Sequence, residues 1–261
     1  MFFFLQFIEK IWRNRYCKEA CSLYPTSEYL SFYQIAGISA YKYHRSILLF
    51  VIKMSKIGLI CSMKNEIPDA FQIKLTKQIQ THKFSNHIIG TIISGVGCEN
   101  AEKATKMICR DFNPDFIIVL GFCGGTQTKL NIGEIIIFDN LHYKSNKISI
   151  ESPHLSNIKK NLTKDSIAFH TGKLQTFDYP VLSRKNLLDG IIGVDMESYF
   201  IAQISKKYNI PTLVIRSISD IIPIKKPLLF PKFRLIIRIY RNKRKAKKGL
   251  NVFFENMIKN L

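Results

Sequence analysis

From Met54 onward the sequence predicts an α/β fold, a mainly parallel, twisted sheet covered by helices. Two observations carry this. Apolar runs of strand length, such as Ile57–Cys61 and Phe116–Leu120, show no polar alternation, as strands buried on both faces do. Between such runs, apolar residues recur at helical spacing, as at Ala101, Ala104, Met107 and Ile108, with Glu102, Lys103 and Lys106 between them. In folds of this kind ligands bind beyond the carboxyl ends of the strands. The polar residues just after each strand are therefore the functional candidates.

Residues 1–53 differ from the rest. They are rich in aromatics (Phe2, Phe3, Phe4, Trp12, Tyr16, Tyr24) and have no clear period, so they are expected to form an N-terminal extension, an over-long start assignment, or a membrane- or partner-binding arm. Met54-Ser55-Lys56 resembles an initiator leading straight into a buried first strand, which puts one domain at 54–261. Ile88–Ser94 is the next predicted strand, ending in Gly95-Val96-Gly97. A helix follows, with Asn100 as its expected cap. Asn113-Pro114 breaks the chain before the strand Phe116–Leu120. Gly121–Gly125 is expected to be a tight turn at which backbone approaches a ligand. Ile135–Phe138 is predicted as a short strand, Glu197–Tyr208 as a helix and Thr212–Arg216 as a buried strand.

The chain has 261 residues, 46% of them hydrophobic, which suffices for a core without covalent staples. Its formal net charge is +20, a balance that suits nucleic acid, an anionic membrane surface or an acidic substrate. It equally suits the Lys-, Ile- and Asn-rich background of an AT-rich genome. The six cysteines form no Cys-x-x-Cys pair and no zinc-site spacing, so reduced structural thiols are expected and no metal. No stretch reaches the roughly 20 apolar residues of a membrane span. The N-terminus lacks the pattern of a signal peptide, which predicts a cytoplasmic protein.

Four strand ends deliver polar groups to one edge: Glu66, Ser94–Gly97, Gly121–Gly125 and Arg216–Asp220. A fifth segment, Asp195-Met196-Glu197-Ser198, opens a helix. Taken singly these are weak signals, because a loop carboxylate is usually just solvated and acids in a first helical turn merely suit the dipole. Gly95-Val96-Gly97 lacks the third glycine of a dinucleotide fingerprint, since Asn100 stands there, and no Walker lysine follows a Gly-rich loop. No cofactor is implied.

The order and spacing of the motifs say more. Lys56-Ile-Gly-Leu-Ile-x-x-Met-x-x-Glu66, Ser94-Gly-Val-Gly97 with Asn100-Ala101, Pro114-Asp-x-Ile-Ile118, Gly121-x-x-Gly-Gly125, Leu130-Asn-Ile-Gly-Glu134, Val194-Asp-Met-Glu-Ser198 and Arg216-Ser-Ile-Ser-Asp220 follow one another over Lys56–Ile221. In this the chain resembles the nucleoside phosphorylase/nucleosidase superfamily, and within it the methylthioadenosine/S-adenosylhomocysteine nucleosidases. The resemblance implies a three-layer α/β sandwich with a mixed central sheet, and an enzyme that hydrolyses the N-glycosidic bond of a purine nucleoside, with adenine as the expected base. It implies Asp220 as general acid toward the purine's five-membered ring and Glu66 as the carboxylate activating water. Met196 and Glu197 would form the ribose site, with Ser94 and Gly95 near the ribose, while Arg216 supports the catalytic groups and Ser219 orients the acid. The backbone at Gly124 would lie against the ligand, and Phe177 is a candidate for stacking on the purine. A homodimer is expected from the same resemblance.

That assignment of roles agrees with the chemistry. Breaking the bond puts cationic character on the sugar and negative charge on the base, so one carboxyl group must donate a proton while another stays ionised. Phosphate as the nucleophile is the alternative. The hexameric phosphorylases carry an Arg on the strand before the Gly-rich turn, where this chain has Val119, which favours water.

Two stretches depart from the pattern. The interval from Glu66 to Ser94 is shorter than in typical methylthioadenosine/S-adenosylhomocysteine nucleosidases. Thr176-Phe177-Asp178-Tyr179-Pro180-Val181 and Asp-Met-Glu-Ser look closer to the hopanoid-associated nucleosidases, a branch thought to remove adenine from an adenosylated lipid. Residues 224–261 are expected to form a basic helical segment, which could lie on an anionic membrane or simply present a basic solvated face. Nucleic-acid binding is the rival of another class, disfavoured because no stacking aromatics interleave with the basic run in a recognisable motif. A protein of this fold without catalysis is the third reading, and the full carboxylate set opposes it.

Overall fold

The computed structural model describes residues 55–259, apart from 72–73, 75, 77, 85, 153–154, 165–166 and 226–230. The expected extension at 1–53 lies outside the described residues. Among the described residues nine strands form one mixed sheet: β1 (Lys56–Cys61), β2 (Gln80–Phe84), β3 (His87–Ile93), β4 (Phe116–Gly125), β5 (Ile135–Tyr143), β6 (Asn146–Ser149), β7 (Phe169–Thr176), β8 (Ile191–Asp195) and β9 (Thr212–Ile221). The helices are α1 (Cys98–Met107), α2 (Leu155–Lys164), α3 (Ser198–Lys207) and α4 (Pro231–Lys259). Strands β3, β1, β4 and β9 run parallel, with Leu59 beside Thr91 and Ile118, and Val119 beside Val214. Antiparallel β2 closes one edge and the β5–β6 hairpin the other, while β9 also pairs antiparallel with β5.

The period-2 geometry of the strands divides their side chains between two cores. Ile57, Leu59, Phe116, Ile118, Leu120, Leu213 and Ile215 point to one face, where they meet Ile158 and Leu162 of α2 and Leu250, Phe253 and Phe254 of α4. Ile60, Ile117, Val119, Val214 and Ile218 point to the other, against Ala101 and Ala104 of α1 and Phe200 and Ile201 of α3. Both faces are thus covered, and the continuous apolar runs are explained. The result is the expected three-layer α/β sandwich. Among the described residues no helix is long and apolar enough to cross a membrane.

Several local expectations are corrected. Gly121–Gly125 is no turn, because β4 continues through it to Gly125. The glycine at 121 serves close packing instead: a Cβ there would run into the side chains of Arg216 and Glu66. The cap of α1 is Gly97, with a φ of 96°, a left-handed region open to glycine. Asn100 lies in the first turn and donates from Nδ2 to Val96 O at 2.9 Å. The strands predicted at 135–138 and 212–216 extend to Tyr143 and Ile221. That second extension matters, because it makes Asp220 part of a strand rather than of a loop.

Candidate active site

The carboxyl ends of β1, β4, β8 and β9 surround a cavity of about 300 Å³. Glu66 reaches it from a 3-10 turn (Lys64–Glu66) that follows β1. The residue is 2% exposed, and its carboxylate accepts three backbone hydrogen bonds. Oε2 accepts from the backbone N–H of Ser62 at 2.7 Å and of Met63 at 2.9 Å, and Oε1 accepts from Phe122 N at 2.9 Å. Burial pushes this carboxyl above its ordinary range, while the Arg216 charge and the three N–H donors pull the other way.

Arg216, on β9, lies beneath the cavity and is buried. Nη2 donates to Asp195 Oδ2 at 2.6 Å and to Ser198 Oγ at 2.8 Å, and stands 4.0 Å from Glu197 Oε2. Asp195 ends β8 and organises the start of α3: Oδ2 also accepts from Ser198 N at 3.1 Å, and Oδ1 accepts from Thr176 Oγ1 at 2.7 Å. Glu197, at the N-cap of α3, accepts from Gly97 N at 2.8 Å. Burial and then the Asp195 charge push its carboxyl up to about 7, against the opposing pull of Arg216 and the Gly97 N–H. A dry guanidinium with acids on several sides is the expected solution to burying a charge.

Asp220 stands at the far end of β9, 3% exposed. Ser219 Oγ lies 3.2 Å from its Oδ1 and 3.2 Å from Cys123 O, and Arg238 Nη2 of α4 lies 3.4 Å from its Oδ2. Burial raises this carboxyl's pKa, with Arg238 and the Ser219 hydroxyl acting to lower it.

Of the residues singled out from sequence, Glu66, Gly124, Met196, Glu197, Ser219 and Asp220 line the cavity together. Arg216 stands behind its wall. Ser94 is buried beside it and donates from Oγ to Gly95 O at 2.8 Å; neither residue lines the space, although the next one, Val96, does. Phe177 packs into a small apolar cluster with Ile191, Val194 and Ile222. The aromatic that reaches the cavity is Tyr179, 53% exposed, with Pro180 and Val181 beside it. Sequence reasoning passed over Tyr179, and also Asp195 and Arg238 as individual groups. Asp195 had a usable signal, since an arginine inside an apolar strand requires a carboxylate partner. Tyr179 and Arg238 had none, because nothing local distinguishes them from other loop and helix residues.

Among the described residues lining the cavity there are four acids, Glu66, Asp195, Glu197 and Asp220, and no Lys or Arg. Among the described residues no cluster of His, Cys, Asp and Glu is arranged to hold a metal ion.

The family model described as the phosphorylase superfamily matches residues 56–236. The 5′-methylthioadenosine/S-adenosylhomocysteine nucleosidase of Buchnera aphidicola subsp. Schizaphis graminum is 33% identical over 198 residues, 64% of this chain and 84% of that protein. The protein of the same name from Oceanobacillus iheyensis is 25% identical over 209 residues, 68% of this chain and 91% of its own length. Among solved structures, S-adenosylhomocysteine nucleosidase from Streptococcus pyogenes superimposes with a TM-score of 0.68 at 21% identity, covering 81% of this chain and 99% of that one. Futalosine hydrolase of Helicobacter pylori also gives 0.68, at 18% identity, covering 80% and 99%. At those identities the two structures speak for the fold.

Proposed function

The chain belongs to the phosphorylase superfamily, and within it to the methylthioadenosine/S-adenosylhomocysteine nucleosidases, and on that premise we propose that it hydrolyses a 5′-substituted adenosine to free adenine. The observation that carries this reading is a cavity walled by four acids with no cation among the described residues of its lining. Phosphate would find no fixed cation in that lining, whereas water needs only a carboxylate to orient it. Hydrolysis is the reaction that such a wall favours.

In the proposed mechanism Asp220 protonates N7, the five-membered-ring nitrogen not bonded to the sugar, as the glycosidic bond lengthens. Its burial supports that role, because a carboxyl group in a dry site keeps its proton to higher pH. Glu66, fixed by three backbone donors, orients the attacking water and faces the cationic sugar. Glu197 accepts from the ribose hydroxyls, and Met196 packs on the sugar. Arg216 holds Asp195 and Glu197 in place from behind. Met63, Val96, Phe122 and Val181 give the remaining wall an apolar character that suits a purine face and a thioether substituent.

The finer assignments follow from the same reading. A homodimer is expected, measurable by light scattering. The free thiols at Cys61, Cys98, Cys109 and Cys123 suit a reducing, cytoplasmic setting. Ile237 and Tyr240, exposed beside Arg241 and Arg244, suit contact of α4 with an anionic bilayer, to be checked by co-sedimentation with phosphatidylserine vesicles.

The deciding experiment is adenine release from methylthioadenosine, S-adenosylhomocysteine and adenosine, with and without phosphate. Release independent of phosphate, lowered at least about 100-fold by Asp220→Asn, is expected. Dependence on phosphate, or an unaffected variant, overturns the reading.

A further inference from the structure

Arg238 belongs to neither the cavity wall nor the roles above, yet among the described residues it is the cation in contact with the proposed acid. Nη2 lies 3.4 Å from Asp220 Oδ2 and Nη1 3.4 Å from Ile221 O, while the side chain remains 27% exposed. Its Nε is buried and has no hydrogen-bond partner among the described residues. One turn further along α4, Asn242 donates from Nδ2 to Ser219 O at 3.0 Å. Positions i and i+4 of one helix thus hold the side chain of Asp220 and the backbone just before it. A buried guanidinium N–H without a partner costs free energy, so packing alone would favour an aliphatic residue at this place.

We propose that Arg238 is a positioning residue for the general acid, through which the C-terminal helix sets the orientation and proton affinity of the Asp220 carboxyl. The inference rests on Asp220 being the acid. Among the described residues, the groups around Asp220 are the Ser219 hydroxyl on its own strand, the Cys123 thiol on β4 and Arg238 on α4; Glu66, Glu197 and Arg216 belong to other parts of the cavity wall and floor. Cys123 keeps its proton through burial, so Arg238 is the cation that balances the dry surroundings. Without it, the acid would hold its proton more tightly and surrender it less readily to the departing base. Because Oδ2 is engaged by the guanidinium, Oδ1 is the oxygen left to Ser219 and, on this reading, to the purine.

The test compares the pH profiles of kcat and kcat/KM for wild type, Arg238→Leu, Arg238→Lys and Asn251→Leu. Asn251 ties the same helix to Asp69, donating from Nδ2 at 2.6 Å, and does not touch Asp220, so it reports a loosened helix alone. In Arg238→Leu the alkaline limb should move up by about one pH unit, with kcat down about tenfold and KM within threefold. Arg238→Lys should restore most of the limb, and Asn251→Leu should move neither. An unmoved limb in Arg238→Leu, or an equal shift in Asn251→Leu, overturns the role of Arg238 while leaving the nucleosidase reading intact. Should Arg238→Leu not fold, Arg238→Gln takes its place. The 13C titration of the Asp220 carboxyl, assigned with Asp220→Asn, gives a readout that needs no turnover; no upward shift on losing Arg238 refutes the inference. A wild type that releases no adenine at any pH overturns the functional reading, and this one with it.

Discussion

Glu197 shows how a single side chain links the site to stability. Its carboxyl is pushed from 4.5 to about 7 by burial and the neighbouring Asp195. A raised folded-state value means that the native protein binds more protons than the unfolded chain between those two pH values. Stability from the protonated form is therefore complete below about 4.5 and is lost as pH rises through about 7. Glu197→Gln keeps the neutral form throughout. The wild type should accordingly lose about 3 kcal/mol relative to that variant between pH 4.5 and 8, read from urea midpoints. Parallel curves would mean that Arg216 keeps Glu197 ionised in the folded state. At this same scale most of the site was legible: Glu66, Met196, Glu197, Ser219 and Asp220 all reach one cavity. Phe177 was misplaced because a Phe and a Tyr two residues apart look alike in sequence, and only packing decides which one is buried.

Among the elements, α4 brings the most distant residues together. It covers one core with Leu250, Phe253 and Phe254, donates to Ser219 through Asn242 and meets the loop before β5 at Gly249. A Cβ at 249 would collide with the backbone carbonyl of Gly133, whose own φ of 87° is the left-handed turn that leads into β5. Backbone cannot yield as a flexible side chain can. Gly249→Ala is thus expected to destabilise by about 1–3 kcal/mol despite alanine's better helix propensity, measured by denaturant unfolding. A stabilised variant would show that the helix is free to shift away from the sheet. Strand β4 carries the converse lesson. Its glycines looked like a turn, and they are strand residues; the missing side chain at Gly121 leaves room for Arg216 and Glu66, and those at Gly124 and Gly125 for Ile222 and Ile218.

For the whole molecule, the apolar clusters of the described residues run from Ile57 through Ile258. The groups placed in the proposed mechanism fall between Met63 and Asp220. A chain begun at Met54 is therefore expected to fold cooperatively and to release adenine with kcat/KM within about threefold of the full chain. Loss of solubility or activity in that shorter chain would assign residues 1–53 a part in the fold or the site.

The sequence alone marked the layered α/β class, the strands β1, β3, β4, β5 and β9 and the acids near strand ends, but not the interior strands β7 and β8. Period and composition are local properties, and a strand buried on both faces has to be apolar throughout. The edge strands β2 and β6, with burial patterns of alternating or exposed residues, carried no such mark. Tertiary structure alone decided which acid shares Arg216, which aromatic reaches the cavity, and that a helix near the C-terminus presses a cation against Asp220. Those outcomes depend on distances between residues far apart in the chain, and a charge takes its pKa from what burial and neighbours do to it, not from the residues beside it in sequence.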